Sequence, residues 1–144
     1  MKPVPSTPTR GADAVASPLG SPPLTGSVSR PVEIRLKRAE RVLEIRFDDG
    51  LHVTLSAELL RVESPSAEVQ GHAPSQKTIV GGKRNVAITG VEPVGHYAVR
   101  LVFDDGHDTG LYSWTWLHEL ATRQDELWRA YLAALEARGL SRDR

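Results

Sequence analysis

Apolar and polar residues alternate along two separate stretches of the chain, and each stretch ends in the same four letters, FDDG. The apolar positions are Leu43, Ile45 and Phe47 in the first stretch and Val99, Leu101 and Phe103 in the second. A period of two places successive side chains on opposite faces of a strand. Each stretch therefore predicts a β-strand with one buried face, followed by a turn and a second short strand.

The register of the first hairpin depends on how many residues form its turn. A two-residue turn would direct His52 and Thr54 toward the core and Val53 outward. A three-residue turn makes every facing pair apolar: Phe47 with Leu51, Ile45 with Val53, and Leu43 with Leu55. The pattern therefore favours the three-residue turn, with Gly50 in the left-handed backbone conformation that glycine adopts readily.

The same register places a histidine in the second hairpin where the first has a leucine. It predicts three pairs: Phe103 with His107, Leu101 with Thr109, and Val99 with Leu111. His107 then corresponds to Leu51 and points toward the core beside an aromatic ring. This is the most informative difference between the two copies.

Three acidic residues surround this histidine in the sequence, but the predicted register separates them from it. Asp104 and Asp105 belong to the turn, and Asp108 points to the opposite face of its strand. His107 is therefore expected to be a half-buried side chain that hydrogen-bonds a loop carbonyl. The alternative is a metal ligand whose partners come from elsewhere in the chain.

Serine residues mark the expected starts of three helices, because a serine hydroxyl accepts a hydrogen bond from the free amides of the first turn. These serines are Ser56, Ser64 (followed by Pro65) and Ser113. The second of these helices is expected to end at Gly71. A fourth helix is expected at residues 124–138, where apolar residues recur at helical spacing before Gly139.

A strand is expected at residues 32–36, and two more within residues 78–94 on either side of a connection at 81–84. Together these elements predict an α+β fold, a small and mostly antiparallel sheet built from two DDG hairpins and covered by the C-terminal helices. The tryptophans of those helices are expected to cover the sheet. A partner surface is the alternative if Trp128 and Tyr131 are exposed.

The first thirty residues differ sharply in composition from the rest. Six of the ten prolines lie there, among many serines, threonines and glycines, without a periodic apolar pattern. Such a segment buries too little apolar surface to offset the entropy of ordering it. Residues 1–30 are expected to be a disordered tail, with a proline-rich docking peptide as the less favoured alternative, and residues 31–144 one folded domain.

Charge and cysteine content exclude several classes of function. Basic and acidic residues are equal at 18 each, which argues against nucleic acid as a partner. The chain has no cysteine, so disulfides, thiol catalysis and cysteine zinc sites are excluded. It also lacks both an apolar run long enough to span a membrane and the apolar core of a signal peptide. We expect a cytoplasmic protein without a membrane partner.

Two longer segments carry a family resemblance. The segments FDDGLHVTLSAELLRVESPSAEVQGH and GKRNVAITGVEPVGHYAVRLVFDDGHDTGLYSWTWL resemble the gamma-butyrobetaine hydroxylase-like N-terminal domain family, common as a small stand-alone bacterial protein of unknown function. The resemblance covers about residues 31–125. It implies a compact α+β domain without the catalytic domain of the hydroxylases, and therefore no hydroxylase activity.

The resemblance also implies a zinc site that this chain has lost. In the hydroxylases the domain holds zinc through three cysteines and one histidine, and that histidine matches His107. The cysteine positions fall near Ser64, Ser66 and Val69, none of which is a strong zinc ligand. No cofactor is therefore expected, although His107, His72 and Glu68 are candidates for a weaker site for iron or zinc.

Two functions remain open from the sequence. The first is a non-catalytic binding or adaptor module, since no catalytic motif is present. The second is a metal-binding accessory protein, for iron or zinc, linked to iron–sulfur cluster assembly. Relatives of the domain occur fused to ATPases of iron–sulfur cluster carriage, so the resemblance implies such an ATPase as a protein partner.

Overall fold

The computed structural model describes residues 29–71 and 76–143. Most of the predicted tail and His72 lie outside these ranges. The first half of the fold comprises β1 (Pro31–Lys37), β2 (Val42–Phe47), β3 (His52–Ser56), α1 (Ala57–Val62) and α2 (Ala67–Gln70). The second half comprises β4 (Ile88–Val94), β5 (Ala98–Phe103), β6 (Leu111–Ser113), α3 (Trp114–Thr122) and α4 (Gln124–Ala137).

The strands form two antiparallel three-stranded sheets, in the orders β1-β2-β3 and β4-β5-β6. This confirms the predicted α+β class and the two DDG hairpins, each of which is the second and third strand of its own sheet. The C-terminal helix α3 packs its buried face, including Leu117 and Leu120, into the same apolar core as both hairpins. A single core therefore joins the two sheets.

Both turns have the predicted three-residue form. The Phe47 amide donates to the Leu51 carbonyl at 2.8 Å, and the Phe103 amide donates to the His107 carbonyl at 3.0 Å. The third turn residue has a positive φ in each case, 91° at Gly50 and 92° at Gly106. In the first hairpin the remaining pairs, Ile45 with Val53 and Leu43 with Leu55, are also as predicted.

The predicted register of the second hairpin is wrong beyond the turn. Val99 pairs with Tyr112 and not with Leu111, so one extra residue lies between His107 and β6. The shift buries the Tyr112 side chain completely and leaves Leu111 44% exposed. Its physical reason is at Gly110, where a β-carbon would lie 2.5 Å from the Ser64 hydroxyl oxygen. The absence of a side chain at position 110 leaves room for the segment that follows α1.

The two halves of the fold are arranged reciprocally. In each half a hairpin sheet is followed by a helix with a serine cap, Ser56 for α1 and Ser113 for α3. Each helix contacts the turn of the other half. Arg61 of α1 donates to Asp105 at 2.8 Å, and the His118 ring of α3 lies 2.9 Å from an Asp49 carboxylate oxygen. The halves are therefore locked together through the two FDDG turns.

Two further predictions about elements need correction. Ser66, and not Ser64, caps α2, because Ser64 is turned into the core. Residues 77–80 form no strand; Ile79 and Val80 instead pack beside Tyr131, whose hydroxyl donates to the Val80 carbonyl at 2.7 Å. That contact satisfies loop backbone that would otherwise pair in a sheet.

The tryptophan-bearing helices cover the core as expected. Trp114, Trp116 and Trp128 are all partly buried against it, and Tyr131 is 4% exposed. Tyr131 is buried and Trp128 is only partly exposed, so the two rings do not form the exposed surface on which that alternative depended. Helix α4 ends at Ala137 with Gly139 at a φ of 66°, as predicted. Among the described residues, no helix is long and apolar enough to span a membrane.

Candidate functional site

His107 lies at the centre of a chain of three polar side chains, of which Ser64 and His107 are buried and Glu68 is exposed. Its Nε2 is 2.8 Å from the Ser64 hydroxyl oxygen, and its Nδ1 is 3.0 Å from a carboxylate oxygen of Glu68. The imidazole is only 3% exposed, whereas the Glu68 side chain is 66% exposed. Both ring nitrogens are therefore occupied by side chains of the same chain, and not by the loop carbonyl that the sequence suggested.

Local structure explains how the three residues meet. His107 follows the turn, where its amide donates to Asp105 Oδ1 at 3.0 Å. Glu68 lies in the first turn of α2, held there by the Ser66 cap. Ser64 lies between α1 and α2 and is completely buried, against Gly110. Because position 110 has no side chain, the Ser64 hydroxyl can approach the second hairpin closely.

Other hydrogen bonds hold the α1–α2 segment against the second hairpin. The Ser66 and Thr109 hydroxyls are 2.8 Å apart, and the Gln70 side chain donates to the Ser64 carbonyl at 2.9 Å. The Trp116 indole N–H donates to the Glu63 carbonyl at 3.0 Å. The hydroxyls and carbonyls named here are thus hydrogen-bonded within the fold, as buried polar groups generally are. In the part of the chain that the structure describes, the buried Nη1 of Arg61 in α1 has no hydrogen-bond partner.

The electrostatics favour a neutral imidazole. Burial lowers the pKa of His107, and the nearby Arg61 guanidinium lowers it further, against the opposing effect of Glu68. In the neutral form, an N–H at Nδ1 donates to the Glu68 carboxylate and Nε2 accepts from the Ser64 hydroxyl. The Ser64 oxygen in turn accepts from the Ser66 amide at 3.2 Å. This tautomer satisfies all three side chains at once.

Asp105 is the charged residue that joins this site to α1. Burial raises the pKa of its carboxyl, but hydrogen bonds from Lys83, the His107 amide and Arg61 together lower it to about 2. Its Oδ2 accepts from Arg61 at 2.8 Å and from Lys83 at 2.5 Å. Asp105 therefore acts as an anchor for the turn, and it does not contact the imidazole ring.

The structure brings together two of the three predicted metal ligands. Glu68 and His107 are in hydrogen-bond contact, and His72 lies outside the described residues. In residues 29–71 and 76–143 no group of three or more His, Cys, Asp or Glu side chains is placed to hold a metal ion. The Glu68–His107 pair is thus a partial ligand set.

The cysteine zinc site of the hydroxylases does not fit the residues present here. Ser64 and Ser66 supply neutral hydroxyls that are already hydrogen-bonded to His107 and Thr109. Val69 is 1% exposed, supplies no ligand atom and packs in the protein interior. At the positions of the zinc-binding cysteines, this chain therefore has two hydrogen-bonded serines and a buried valine.

A serine, a histidine and a carboxylate in this order resemble the groups of a nucleophilic hydrolase. Ser64 is 0% exposed, however, so an attacking oxygen there has no access to a substrate carbonyl. Sequence reasoning missed the Ser64–His107 contact. The sequence indicated this contact only indirectly, through the family resemblance. Ser64 falls near a zinc-ligand position of the hydroxylases, and His107 matches their ligand histidine.

Two surface clefts lie outside this site. A polar cleft of about 340 Å³ lies beside Lys83 and Arg84, whose charges are paired with Asp105 and Asp143. An apolar cleft of about 380 Å³ lies between β1 and β4, lined by Leu36, Val91 and other residues. The paired charges leave the Lys83 and Arg84 loop without a free cation for an anionic ligand.

Comparisons with known proteins identify the relatives of this fold. Residues 34–118 match the family described as gamma-butyrobetaine hydroxylase-like, N-terminal. Two similar proteins have NMR solution structures: one is 51% identical with a TM-score of 0.71 over 81% of this chain and 92% of its own. The other is 54% identical with a TM-score of 0.71 over 85% of this chain and 91% of its own.

A crystal structure from Acidithiobacillus ferrooxidans is also similar. That protein, of unknown function and belonging to the DUF971 family, is 43% identical with a TM-score of 0.54. The alignment covers 64% of this chain and 92% of that one. No match was found among curated proteins.

Proposed function

Because the chain belongs to the gamma-butyrobetaine hydroxylase-like N-terminal family, we propose that it is a non-catalytic binding module that acts through a protein partner. The family match spans the two hairpins and the helix that follows the second. The match is to the N-terminal domain family alone. The proposal therefore rests on what the side chains of this domain are able to do.

The observation that carries the proposal is the internal use of the polar side chains at the His107 site. Ser64 and both nitrogens of His107 are engaged with one another and with Glu68, and only the Glu68 side chain is substantially exposed. A catalytic or metal site needs its nucleophile or ligand atoms within reach of a ligand, and the Ser64 hydroxyl and the His107 imidazole are both buried. Here the groups join the α1–α2 segment to the second hairpin instead.

We further propose a cytoplasmic ATPase of iron–sulfur cluster carriage as the partner. Relatives of the domain are fused to such ATPases, and fusion of two domains in some proteins suggests contact between separate chains in others. A fold alone does not fix a partner, so this pair of proteins is the one to test for binding.

Isothermal titration calorimetry between the two purified proteins tests this partner. We expect saturable binding that is unchanged by Ser64→Ala, provided that thermal melting shows the variant to be folded. The same variant separates an adaptor from a hydrolase: labelling by a fluorophosphonate at Ser64 would contradict the non-catalytic proposal. If the titration shows no binding heat, this ATPase is excluded as the partner.

A second candidate function, binding of iron or zinc, is favoured by one specific contact. Glu68 Oε1 and His107 Nδ1 lie 3.0 Å apart at the edge of the site, and the Glu68 side chain reaches solvent. A carboxylate and an imidazole are ordinary ligands for either metal. His72, which follows α2 closely in sequence, would be the third ligand of this set.

Thermal melting with chelator, iron or zinc distinguishes the two candidates, because a ligand of the folded state raises its melting temperature. Metal binding predicts a rise that His107→Leu and Glu68→Gln both abolish. His118→Leu is the matched control, since His118 pairs with Asp49 at the other FDDG turn. Elemental analysis of protein purified without a histidine tag completes the test, and stoichiometric metal would favour the second candidate.

A further inference from the structure

The last described residues of the chain return to the domain surface after α4. Gly139 ends the helix with a φ of 66°, and the Leu140 amide donates to the Leu135 carbonyl at 2.8 Å. Residues 141–143, which we call the C-terminal strap, then run beside residues 82–84. The Gly82 amide donates to the Ser141 carbonyl at 2.8 Å, and the Arg84 amide donates to the Arg142 carbonyl at 3.1 Å. Loop 82–84 thus binds the strap through its backbone.

Arg142 of the strap fills a guanidinium-shaped site on α1 and α4. Its Nε and Nη2 donate to the two carboxylate oxygens of Glu58 at 2.9 and 2.7 Å. Its guanidinium carbon lies 5.0 Å from the centroid of the Trp128 ring. A bidentate carboxylate and an aromatic face are the two features that select arginine over lysine.

The site extends to either side of the arginine. Asp143 accepts from Arg84 at 2.6 and 3.2 Å, so the residue after the arginine is also recognised by its charge. Gly81 allows the close approach of the strap, because a β-carbon there would lie 2.8 Å from the Ser141 carbonyl oxygen. Beside Arg142, a cleft of about 280 Å³ is lined in part by Gln124 and Asp125.

Glu58 indicates that this surface is built to receive a guanidinium. It is 5% exposed, although a carboxylate buried without a cation is strongly unfavourable. The cation comes from a short segment beyond a glycine, and the Arg142 side chain remains 29% exposed. The pocket and its occupant therefore belong to separable parts of the chain.

We propose that Glu58, Trp128, Arg84 and loop 82–84 form a recognition groove for an arginine-containing segment of a partner protein, in which an acidic residue follows the arginine. The C-terminal strap is the internal occupant of this groove. Backbone pairing supplies affinity and the two side-chain contacts supply sequence preference, as in other modes of extended-peptide recognition. The inference rests on the proposed binding-module function and gives its partner a chemical signature.

The strap competes with any outside segment, which determines how the groove is tested. A tethered segment acts at an effective concentration of roughly millimolar, so a free peptide meets an occupied groove in the wild-type protein. Arg142→Ala in the full chain vacates the guanidinium site and leaves the groove residues unchanged. The probe is the peptide acetyl-Leu-Ser-Arg-Asp-amide, which copies residues 140–143.

Nuclear magnetic resonance of the indole N–H groups measures binding, with the Trp128 signal assigned through Trp128→Phe. In Arg142→Ala we expect a saturable shift of that signal. The wild type should require at least tenfold more peptide. The lysine analogue of the peptide should bind at least tenfold more weakly, and Glu58→Gln added to Arg142→Ala should abolish the shift.

Failure of the Trp128 signal to shift in folded Arg142→Ala would overturn the proposal, as would equal binding of the lysine peptide. If Arg142→Ala does not fold, Arg142→Lys replaces it, and the arginine peptide should displace the lysine side chain. A dimer that Arg142→Ala converts to monomer, without peptide binding, would assign the groove to a second copy and overturn the partner-segment proposal.

The outcomes for the groove and for the proposed function are separable. Calorimetric binding of the ATPase that persists while the groove fails its peptide test places the partner contact elsewhere on the domain. If the peptide binds but no complex with the ATPase forms, the groove proposal stands and the ATPase is excluded as the partner.

Discussion

The two FDDG hairpins have the same turn, but the side chain after the turn makes apolar contacts in the first hairpin and hydrogen bonds in the second. Asp49 Oδ1 accepts from the Leu51 amide at 2.9 Å, and Asp105 Oδ1 accepts from the His107 amide at 3.0 Å. At the residue after each turn, the first hairpin has a partly buried leucine in apolar contact, and the second has a histidine in a hydrogen-bonded network. The same turn backbone can therefore be followed by an apolar side chain or by a hydrogen-bonded one.

The difference originates outside the hairpins. The segment between α1 and α2 brings Ser64, Ser66 and Glu68 against the second hairpin. A histidine satisfies these polar groups, whereas a leucine would leave the Ser64 hydroxyl without its imidazole partner. The two FDDG copies thus share their turn chemistry, and the residue after the turn differs with the segment that packs against it.

Gly110→Ala should destabilise the protein more than the other alanine or leucine substitutions proposed at the two hairpins. The added methyl group would lie 2.5 Å from the Ser64 hydroxyl oxygen and 3.1 Å from the Tyr112 ring. We expect a loss of about 3 kcal/mol in the free energy of unfolding, because overpacked cores cannot relax freely. Urea denaturation measures it. Gly90→Ala is the control, since its methyl group would meet only Val102 at 3.6 Å.

Ser64→Ala and His107→Leu should each cost about 1–2 kcal/mol, because each leaves a buried polar partner without its hydrogen bond. His107→Leu converts the second hairpin to the leucine of the first. In a double-mutant cycle the combined loss should be smaller than the sum, since both changes remove the same contact. Additive losses would show that the 2.8 Å contact contributes little to stability.

Gly50→Ala and Gly106→Ala should each destabilise the protein by about 1 kcal/mol or more, because alanine is disfavoured at positive φ. The two φ values are 91° and 92°, and neither added methyl group would meet an atom within 4 Å. The losses should therefore be equal within error in thermal melting. Unequal losses would mean that the hydrogen bonds of His107 also strain the turn of the second hairpin.

The smallest expected effect is a pH dependence confined to the second hairpin. The pKa of His107 is lowered in the folded protein, chiefly by burial and then by Arg61, from an ordinary value of 6.5. Just below that pH the unfolded chain binds more protons than the folded one, so stability falls as the pH falls. His107→Leu should lose less stability than the wild type between neutral pH and about pH 5.5 in urea titrations.

A steeper loss in the variant than in the wild type would contradict the lowered pKa of His107. Asp105 does not confuse the measurement, because its pKa of about 2 keeps it ionised throughout that range. Its contribution to stability is present above the ordinary aspartate value of 3.8 and is lost only as the pH falls toward 2.

The sequence alone determined the turns of both hairpins and the register of the first. The alternation of apolar residues and the glycine of each FDDG turn predicted the turn length. Ser56 and Ser113 predicted two helix starts, whereas the start predicted at Ser64 was wrong and lies at Ser66. These features depend on contacts between residues close in sequence, where spacing is enough to identify the partner. The position of His107 opposite Phe103 followed from the same argument.

Only the tertiary structure decided what His107 contacts and how the second hairpin continues. Ser64 is 43 residues from His107 in sequence, and nothing in the spacing indicates that its hydroxyl enters the core. The shift that pairs Val99 with Tyr112 has the same origin, since it accommodates Ser64 at Gly110. The Arg142–Glu58 ion pair joins residues 84 positions apart, and the sequence pattern did not predict it either. Packing between distant segments sets these contacts, and a local pattern carries no record of which segments meet.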